Sequence, residues 1–284
     1  MLALALLVLP LLSLSQDSAR MTSLTGNIEH IPNFESKLLG NKRNLIVYFP
    51  PDYEKEKSRR YPVLYCHDGQ NIFDGKTSFI PNKEWRIDEA AEALIKAKLI
   101  EPIIIVGMDN AGLARGDEYV PWPTLMSNGT KFGGRADLYG RFLLEEVKPY
   151  IDQKYRTKSD GRNTALMGSS LGGLVTIYLG FKYPDRFSKL GVVSPSVWVK
   201  DREIVKTAEK LPRKLPLKIW IDMGAQEGGD SLADARALFD ALVQKGWRPG
   251  KDLALYEDGF AQHNEEAWAR RVPAFLLWMF GTNK

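Results

Sequence analysis

Gly168-Ser169-Ser170-Leu171-Gly172 carries the strongest chemical signal in this chain. A short apolar run, 164–167, precedes it, and a helix-like segment, 173–179, follows. A serine in G-x-S-x-G between a strand and a helix stands on a sharp turn with its hydroxyl exposed. The flanking glycines let the backbone turn tightly and the helix approach the strand closely. A serine hydroxyl is a weak nucleophile near neutral pH, so it needs a base and a group that orients the base. The chain has three histidines, His30, His67 and His263. His263 follows the last strand candidate and precedes the last helix candidate. That is the expected place for the base when the chain order is serine, acid, histidine. His30 reads as a surface strand residue. His67, just after a central strand, reads as a residue that lines or supports the site.

The acid should follow the strand at 217–223. Asp222 lies within that strand, while Glu227 and Asp230 lie on the loop beyond it. A loop carboxylate can hold the imidazole tautomer and offset the imidazolium charge. Glu227 is preferred; Asp230 also reads as the N-cap of the next helix. Negative charge developing on a carbonyl oxygen calls for preorganised backbone N–H donors. Leu171 is expected to supply one, and Gln70 or Gly69, after the strand at 62–66, the other.

These groups need a scaffold, and the chain alternates strand and helix patterns throughout. Residues 27–31, 44–49, 62–66, 102–108, 164–167, 190–193, 217–223 and 253–256 read as strands. Residues 87–97, 137–150, 232–244 and 265–279 read as helices, the last interrupted near Pro273. Ile103-Ile104-Ile105-Val106 is apolar on both faces, as an interior parallel strand requires. The alternation predicts a single α/β domain over 25–284, with a mostly parallel sheet covered by helices on both faces. A loop-rich insertion interrupts it around 111–136. The polar run His67-Asp68-Gly69-Gln70-Asn71 falls at the carboxyl end of a central strand, where an open α/β sheet places its site.

Composition narrows the function classes. At 284 residues and 44% hydrophobic, the chain can bury one large core. Its net charge of +4 is dispersed, with no basic stripe interleaved with aromatics, so no nucleic-acid partner is expected. Cys66 is the only cysteine, which excludes an intrachain disulfide, and it reads as a buried small hydrophobe. Neither HExxH nor clustered Cys/His spacing is present, so neither a metal nor another cofactor is expected. Residues 2–14 are almost wholly apolar, and Ser13-Leu14-Ser15 before Gln16 has the small-x-small form of a cleavage site. The run is too short for a stable membrane span. Residues 1–15 therefore read as a signal peptide and the protein as secreted or periplasmic; a start at Met21 instead implies a cytoplasmic protein.

From about Ile28 to Phe280 the chain resembles an esterase family of the α/β-hydrolase fold. That family includes feruloyl and acetyl-xylan esterases of carbohydrate esterase family 1, enterochelin esterases, S-formylglutathione hydrolase and mycolyltransferases. The matching stretches are Tyr61 to Tyr65, His67 to Asp74, Ile105 to Asn110, and Arg115 with Glu118-Tyr119. Further matches are Gly168 to Gly173, Ser194-Pro195-Ser196, Gly224 to Glu227, Gly259, His263 and Trp268. Gly259-Phe260-Ala261-Gln262 departs from the glycine-rich run usual before the histidine. The resemblance implies Ser170 as nucleophile, Glu227 as acid and His263 as base. It implies a serine carboxylesterase acting through an acyl-enzyme on small or carbohydrate-linked esters of acetyl or feruloyl type. A siderophore trilactone esterase or an acyltransferase is the alternative within the family. A carbohydrate-binding protein on a retained hydrolase fold is the non-enzyme alternative, and an activated-serine probe separates it from the others. Asp74, Trp85, Arg115, Tyr119, Trp122, Phe132 and Trp198 are expected to shape the substrate site, with loop packing as the competing role for the aromatics. Arg115 is expected either to bind a carboxylate or to pair with Glu118. The expected partner is a small-molecule or polysaccharide ester, and the expected state is monomer or homodimer.

Overall fold

The computed structural model describes residues 19–125 and 129–282, so the leader expected at 1–15 lies outside the described residues. A hairpin of β1 (Asn27–Ser36) and β2 (Asn41–Phe49) is followed by β3 (Val63–His67), α1 (Ile87–Lys96) and β4 (Ile104–Met108). The insertion holds α2 (Arg115–Tyr119) and a small ribbon of β5 (Thr124–Leu125) and β6 (Lys131–Phe132). Next, α3 (Ala136–Arg141) runs through a wide π turn (Phe142–Val147) into α4 (Lys148–Lys154). Then come β7 (Thr164–Ser169), α5 (Leu171–Lys182), β8 (Lys189–Val193), α6 (Glu203–Glu209) and β9 (Lys218–Gly224). The chain closes with α7 (Ser231–Gln244), β10 (Leu253–Asp258) and α8 (Glu265–Phe280).

The main sheet has eight strands in the order β1-β2-β4-β3-β7-β8-β9-β10. β2 pairs antiparallel with β1 and β4, and every other pairing is parallel. The period-2 alternation of side chains divides the core into two layers. On β3, Val63 and Tyr65 join the layer beneath α3, α5 and α7, while Leu64 and Cys66 join the layer beneath α1 and α8. Both faces of the central strands are thus buried, which is why β4 reads as an unbroken apolar run. Strand order changes direction at β3, since β4 lies on one side of it and β7 on the other. Ligand crevices of open α/β sheets form at such a point, beyond the carboxyl ends of the strands.

Two sequence expectations change. Helix α8 continues through Pro273 instead of breaking there. Its buried face, including Trp268, Val272, Phe275, Leu276 and Met279, packs on both sides of the proline and offsets the lost hydrogen bond. The insertion is only partly loop, because α2 and the ribbon form within it. Helices α2 and α6 are five and seven residues long, too short for hydrophobic periodicity to register. Among the described residues, no helix is long and apolar enough to cross a membrane.

Candidate active site

Ser170 is the single residue between β7 and α5. Its backbone sits at φ 60°, ψ −123°, a region that costs a side-chain-bearing residue of order 1–3 kcal/mol. Three backbone bonds hold it there: its N–H donates to Val193 O (3.0 Å), and its carbonyl accepts from Leu174 N (3.1 Å) and Ser196 N (3.0 Å). Close packing fixes the turn further. A Cβ on Gly168 would lie 2.9 Å from His67 Cδ2, and one on Gly173 would lie 2.8 Å from Val193 O. Ser170 Oγ is 3.3 Å from Ser196 Oγ. Leu171 opens α5, so its N–H belongs to the first turn, whose donors have no partner within the helix.

Glu227 lies on the loop after β9, and its two oxygens have separate partners. Oε2 is 2.6 Å from His263 Nδ1. Oε1 accepts from Gly224 N (2.8 Å) and Ser194 Oγ (2.6 Å). The carboxylate side chain is 1% exposed, while that of His263 is 40% exposed. Burial alone would push the Glu227 carboxyl up. The hydrogen bonds from His263 and Ser194 outweigh it and hold the group below the usual carboxylate range. With Nδ1–H donating to Glu227, His263 Nε2 is left as the basic nitrogen.

A buried network stands behind this pair. Ser194 Oγ accepts from Arg271 Nη2 (2.7 Å) and Trp268 Nε1 (3.0 Å). Both are obligate donors, so the hydroxyl proton goes to Glu227. Arg271 Nη2 also lies 3.1 Å from Asp222 Oδ1 and 3.6 Å from Glu227 Oε1. Burial pushes the Asp222 carboxyl up to about 6, against the pull of Arg271 and the hydrogen bond from Trp220 Nε1. Asp222 therefore stands behind Arg271, away from the imidazole. Asp230 is exposed at the start of α7 and makes no side-chain cap bond. The His263 ring meets the Trp268 ring edge-to-face, centroids 5.0 Å apart.

Ser170 and His263 line one cavity of about 560 Å³, together with Asp68, Gln70, Phe79, Ile80, Leu113, Arg115 and Trp268. Gln70 faces this cavity, and its side-chain Oε1 accepts from Asn110 N (3.2 Å). Gly69 is buried below it, and a Cβ there would come within 2.6 Å of the Gly107–Met108 backbone. Arg115 is in the cavity, but its partner is Asp68, not Glu118. Nε and Nη2 bind the two Asp68 oxygens at 2.6 and 2.8 Å. Glu118 is buried in a fork-to-fork pair with Arg43.

The other expected substrate residues lie elsewhere. Asp74 binds Ser23 N, Thr22 Oγ1 and Lys76 N, tying the N-terminal segment to its own loop. Trp85 is 3% exposed and packs on Trp268, beneath the site. Tyr119 is fully buried, and its hydroxyl accepts from Asp68 N (3.2 Å). Trp122 packs edge-on against Tyr178, and Phe132 packs against the core near Gly116. Trp198 is exposed, outside the cavity lining. Packing claims most of these aromatics. Phe79 and Leu113, exposed at the cavity, are isolated apolar residues in loops and have no periodic signal in the sequence. The roles of Ser194 and Arg271 have none either, because only the folded chain brings positions so far apart together.

The family described as "Putative esterase" matches residues 36–279. An uncharacterized protein of Bacillus subtilis, YbbA, is 25% identical over 255 residues, covering 86% of this chain and 95% of the relative. The endo-1,4-beta-xylanase/feruloyl esterase of Xylanibacter ruminicola is 30% identical over 196 residues, covering 64% of this chain and 24% of the relative. The crystal structure of an IroE-like serine hydrolase from Shewanella oneidensis superposes with a TM-score of 0.71 at 20% identity, covering 89% of this chain and 79% of that one.

Two outcomes follow from the buried groups. Ser194→Ala leaves Arg271, Trp268 and Glu227 each short of a partner, and should destabilise the protein by roughly 1–3 kcal/mol in urea unfolding. His67 is buried, which pulls its imidazole down to about 3. The unfolded chain therefore takes up a proton below about pH 6.5 that the folded chain refuses until about 3, so stability falls as pH falls through that window. Unfolding midpoints measured from pH 7 to 4 should decline, and less steeply in His67→Gln.

Proposed function

The chain belongs to this esterase family, and from that premise we propose a serine carboxylesterase in which Ser170 is the nucleophile, His263 the base and Glu227 the orienting acid. The observation that carries this reading is the placement of Ser170, in a strained turn at the mouth of a cavity that His263 also lines. Ser170 Oγ attacks the ester carbonyl while His263 Nε2 takes its proton. The proton then passes to the leaving alcohol, and water releases the acid from the acyl-enzyme by the same steps. Among the described residues, Ser170 and His263 share no hydrogen bond, and such contacts often tighten only when substrate binds. The oxyanion is assigned to the Leu171 N–H and the Gln70 N–H; Gln70 is favoured over Gly69 because it faces the cavity.

Charge supports the same assignment. Asp222, Glu227 and Arg271 together carry one net negative charge when ionised, below an imidazole that becomes positive during the reaction. A fixed carboxylate in a water-poor site stabilises that imidazolium without rearrangement.

The cavity favours a neutral ester with a flat apolar acyl group. Phe79, Ile80, Leu113 and Trp268 form its apolar wall, and Asp68 neutralises Arg115, the one arginine or lysine of the lining among the described residues. A feruloyl group on a sugar fits a cavity of this size, and the similarity to an endo-1,4-beta-xylanase/feruloyl esterase agrees with it.

The test is initial hydrolysis rates across p-nitrophenyl acetate, butyrate and octanoate, methyl ferulate, acetylated xylan and a catecholate trilactone. Methyl ferulate should give the highest kcat/KM among the natural-type esters, and Ser170→Ala should lose at least about 10³-fold on every substrate. Unchanged turnover in Ser170→Ala would sink the mechanism. A preference for xylan acetate or the trilactone would overturn the acyl assignment alone.

A further inference from the structure

Three carboxylates converge at the N-terminus of α1, away from the Ser170 cavity. One oxygen each from Glu84, Asp88 and Glu89 lies within 4.8 Å of the others. Asp88 is fully buried, Glu84 is 6% exposed, and the Glu89 side chain is 25% exposed. Hydrogen bonds use only part of this oxygen surface. Asp88 Oδ2 accepts from Thr25 N (2.6 Å), and Glu84 accepts from Ser23 Oγ (3.3 Å) and Arg86 N. Among the described residues, no N–H or O–H donor reaches Asp88 Oδ1 or Glu89 Oε2, both buried atoms.

Among the described residues, positive charge is scarce here. Arg86 Nε stands 3.7 Å from Glu89 Oε1 on a mostly exposed side chain, and Lys83 is paired with Glu266 at 2.9 Å. Carboxylates that share a buried site repel, and an unsatisfied buried charge is expensive. A bound cation relieves that repulsion directly.

We propose that Glu84, Asp88 and Glu89 bind a hard divalent cation, Ca²⁺ before Mg²⁺. A donor set made only of carboxylate oxygens suits these ions and not zinc or copper. An open cavity of about 380 Å³, lined by Ser23, Asn82, Lys83, Glu84, Arg86 and Glu89 among others, gives the ion a way in and leaves room for coordinated water. Ca²⁺ tolerates such an irregular, partly hydrated shell better than Mg²⁺ does. Carboxylates at 84, 88 and 89 lack the histidine and cysteine spacing by which a metal site shows in a sequence.

The position gives the ion a role. Residues 22–25 dock here through Asp74, Glu84 and Asp88. The loop between Asp74 and Arg86 carries Phe79 and Ile80 into the Ser170 cavity, where Phe79 N donates to Asn71 Oδ1 and Trp85 N to Asn71 O. A cation bridging that loop to α1 clamps the apolar rim of the substrate cavity.

The test uses the full chain, stripped with EDTA and then freed of it at pH 7.5. Calorimetric titration with Ca²⁺ alone and Mg²⁺ alone should detect one saturable site with Kd on the order of 10⁻⁵–10⁻³ M for Ca²⁺ and weaker binding of Mg²⁺. Saturating Ca²⁺ should raise Tm. Glu89→Gln should match the stripped wild type in Tm yet lose the calcium response and bind at least about tenfold more weakly. Absence of saturable binding of either ion, or equal binding by Glu89→Gln, would overturn the site.

Discussion

The divided carboxylate of Glu227 is the constraint on which the site depends. One oxygen is anchored to the core through Gly224 N and Ser194 Oγ, and the other is offered to His263. Because the anchored oxygen is fixed by atoms of β9 and by the Ser194 hydroxyl, the imidazole is positioned by the sheet, not by its own exposed loop. Arg271 connects this anchor to α8, which follows directly after His263. The helix that carries the neighbouring Trp268 thus also supplies the cation that offsets the buried acids. A pair such as Arg271 and Asp222 is weak evidence for net stability, but loss of one partner is costly, about 3–5 kcal/mol. Its value here is geometric.

A second constraint acts from the opposite side of the cavity. Glycines allow the chain segments to approach more closely than side chains would permit. Gly69 lies on the Gly107–Met108 backbone, and Gly172 leaves only 3.2 Å between a would-be Cβ and Asp68 Oδ2. Asp68, itself in the left-handed region at φ 56°, is then locked by Arg115, Asn110 and the Tyr119 hydroxyl. The loop after β3 and the start of α5 become one rigid body that carries both assigned oxyanion donors. Its charge is balanced locally, so Asp68 does not oppose an anion forming nearby.

Much of this architecture was legible in the sequence. The apolar runs at 102–108 and 164–167 and the G-x-S-x-G turn reported strong local constraints, burial on both faces and a tight reversal. Chain order points to His263 and to Asp222, Glu227 or Asp230, and the loop position of Glu227 favours it among the three. Side-chain roles that depend on tertiary packing were not legible. Trp85 and Tyr119 have the chemistry of a pocket aromatic, yet one supports Trp268 and the other caps Asp68 N. Asp222, on the strand and not on the loop beyond it, balances Arg271. Nothing in local pattern reports a partner that is 49 residues distant in the chain, and only the assembled sheet and helix α8 do so.

The central claim is that this packing delivers an activated serine at position 170. The most direct measurement is treatment of the folded protein with a fluorophosphonate, followed by intact-mass analysis and peptide mapping of the adduct. One phosphonyl group per chain on Ser170, with labelling abolished by prior denaturation, is the predicted result. No adduct on the folded chain, or an adduct on any other residue, would contradict it.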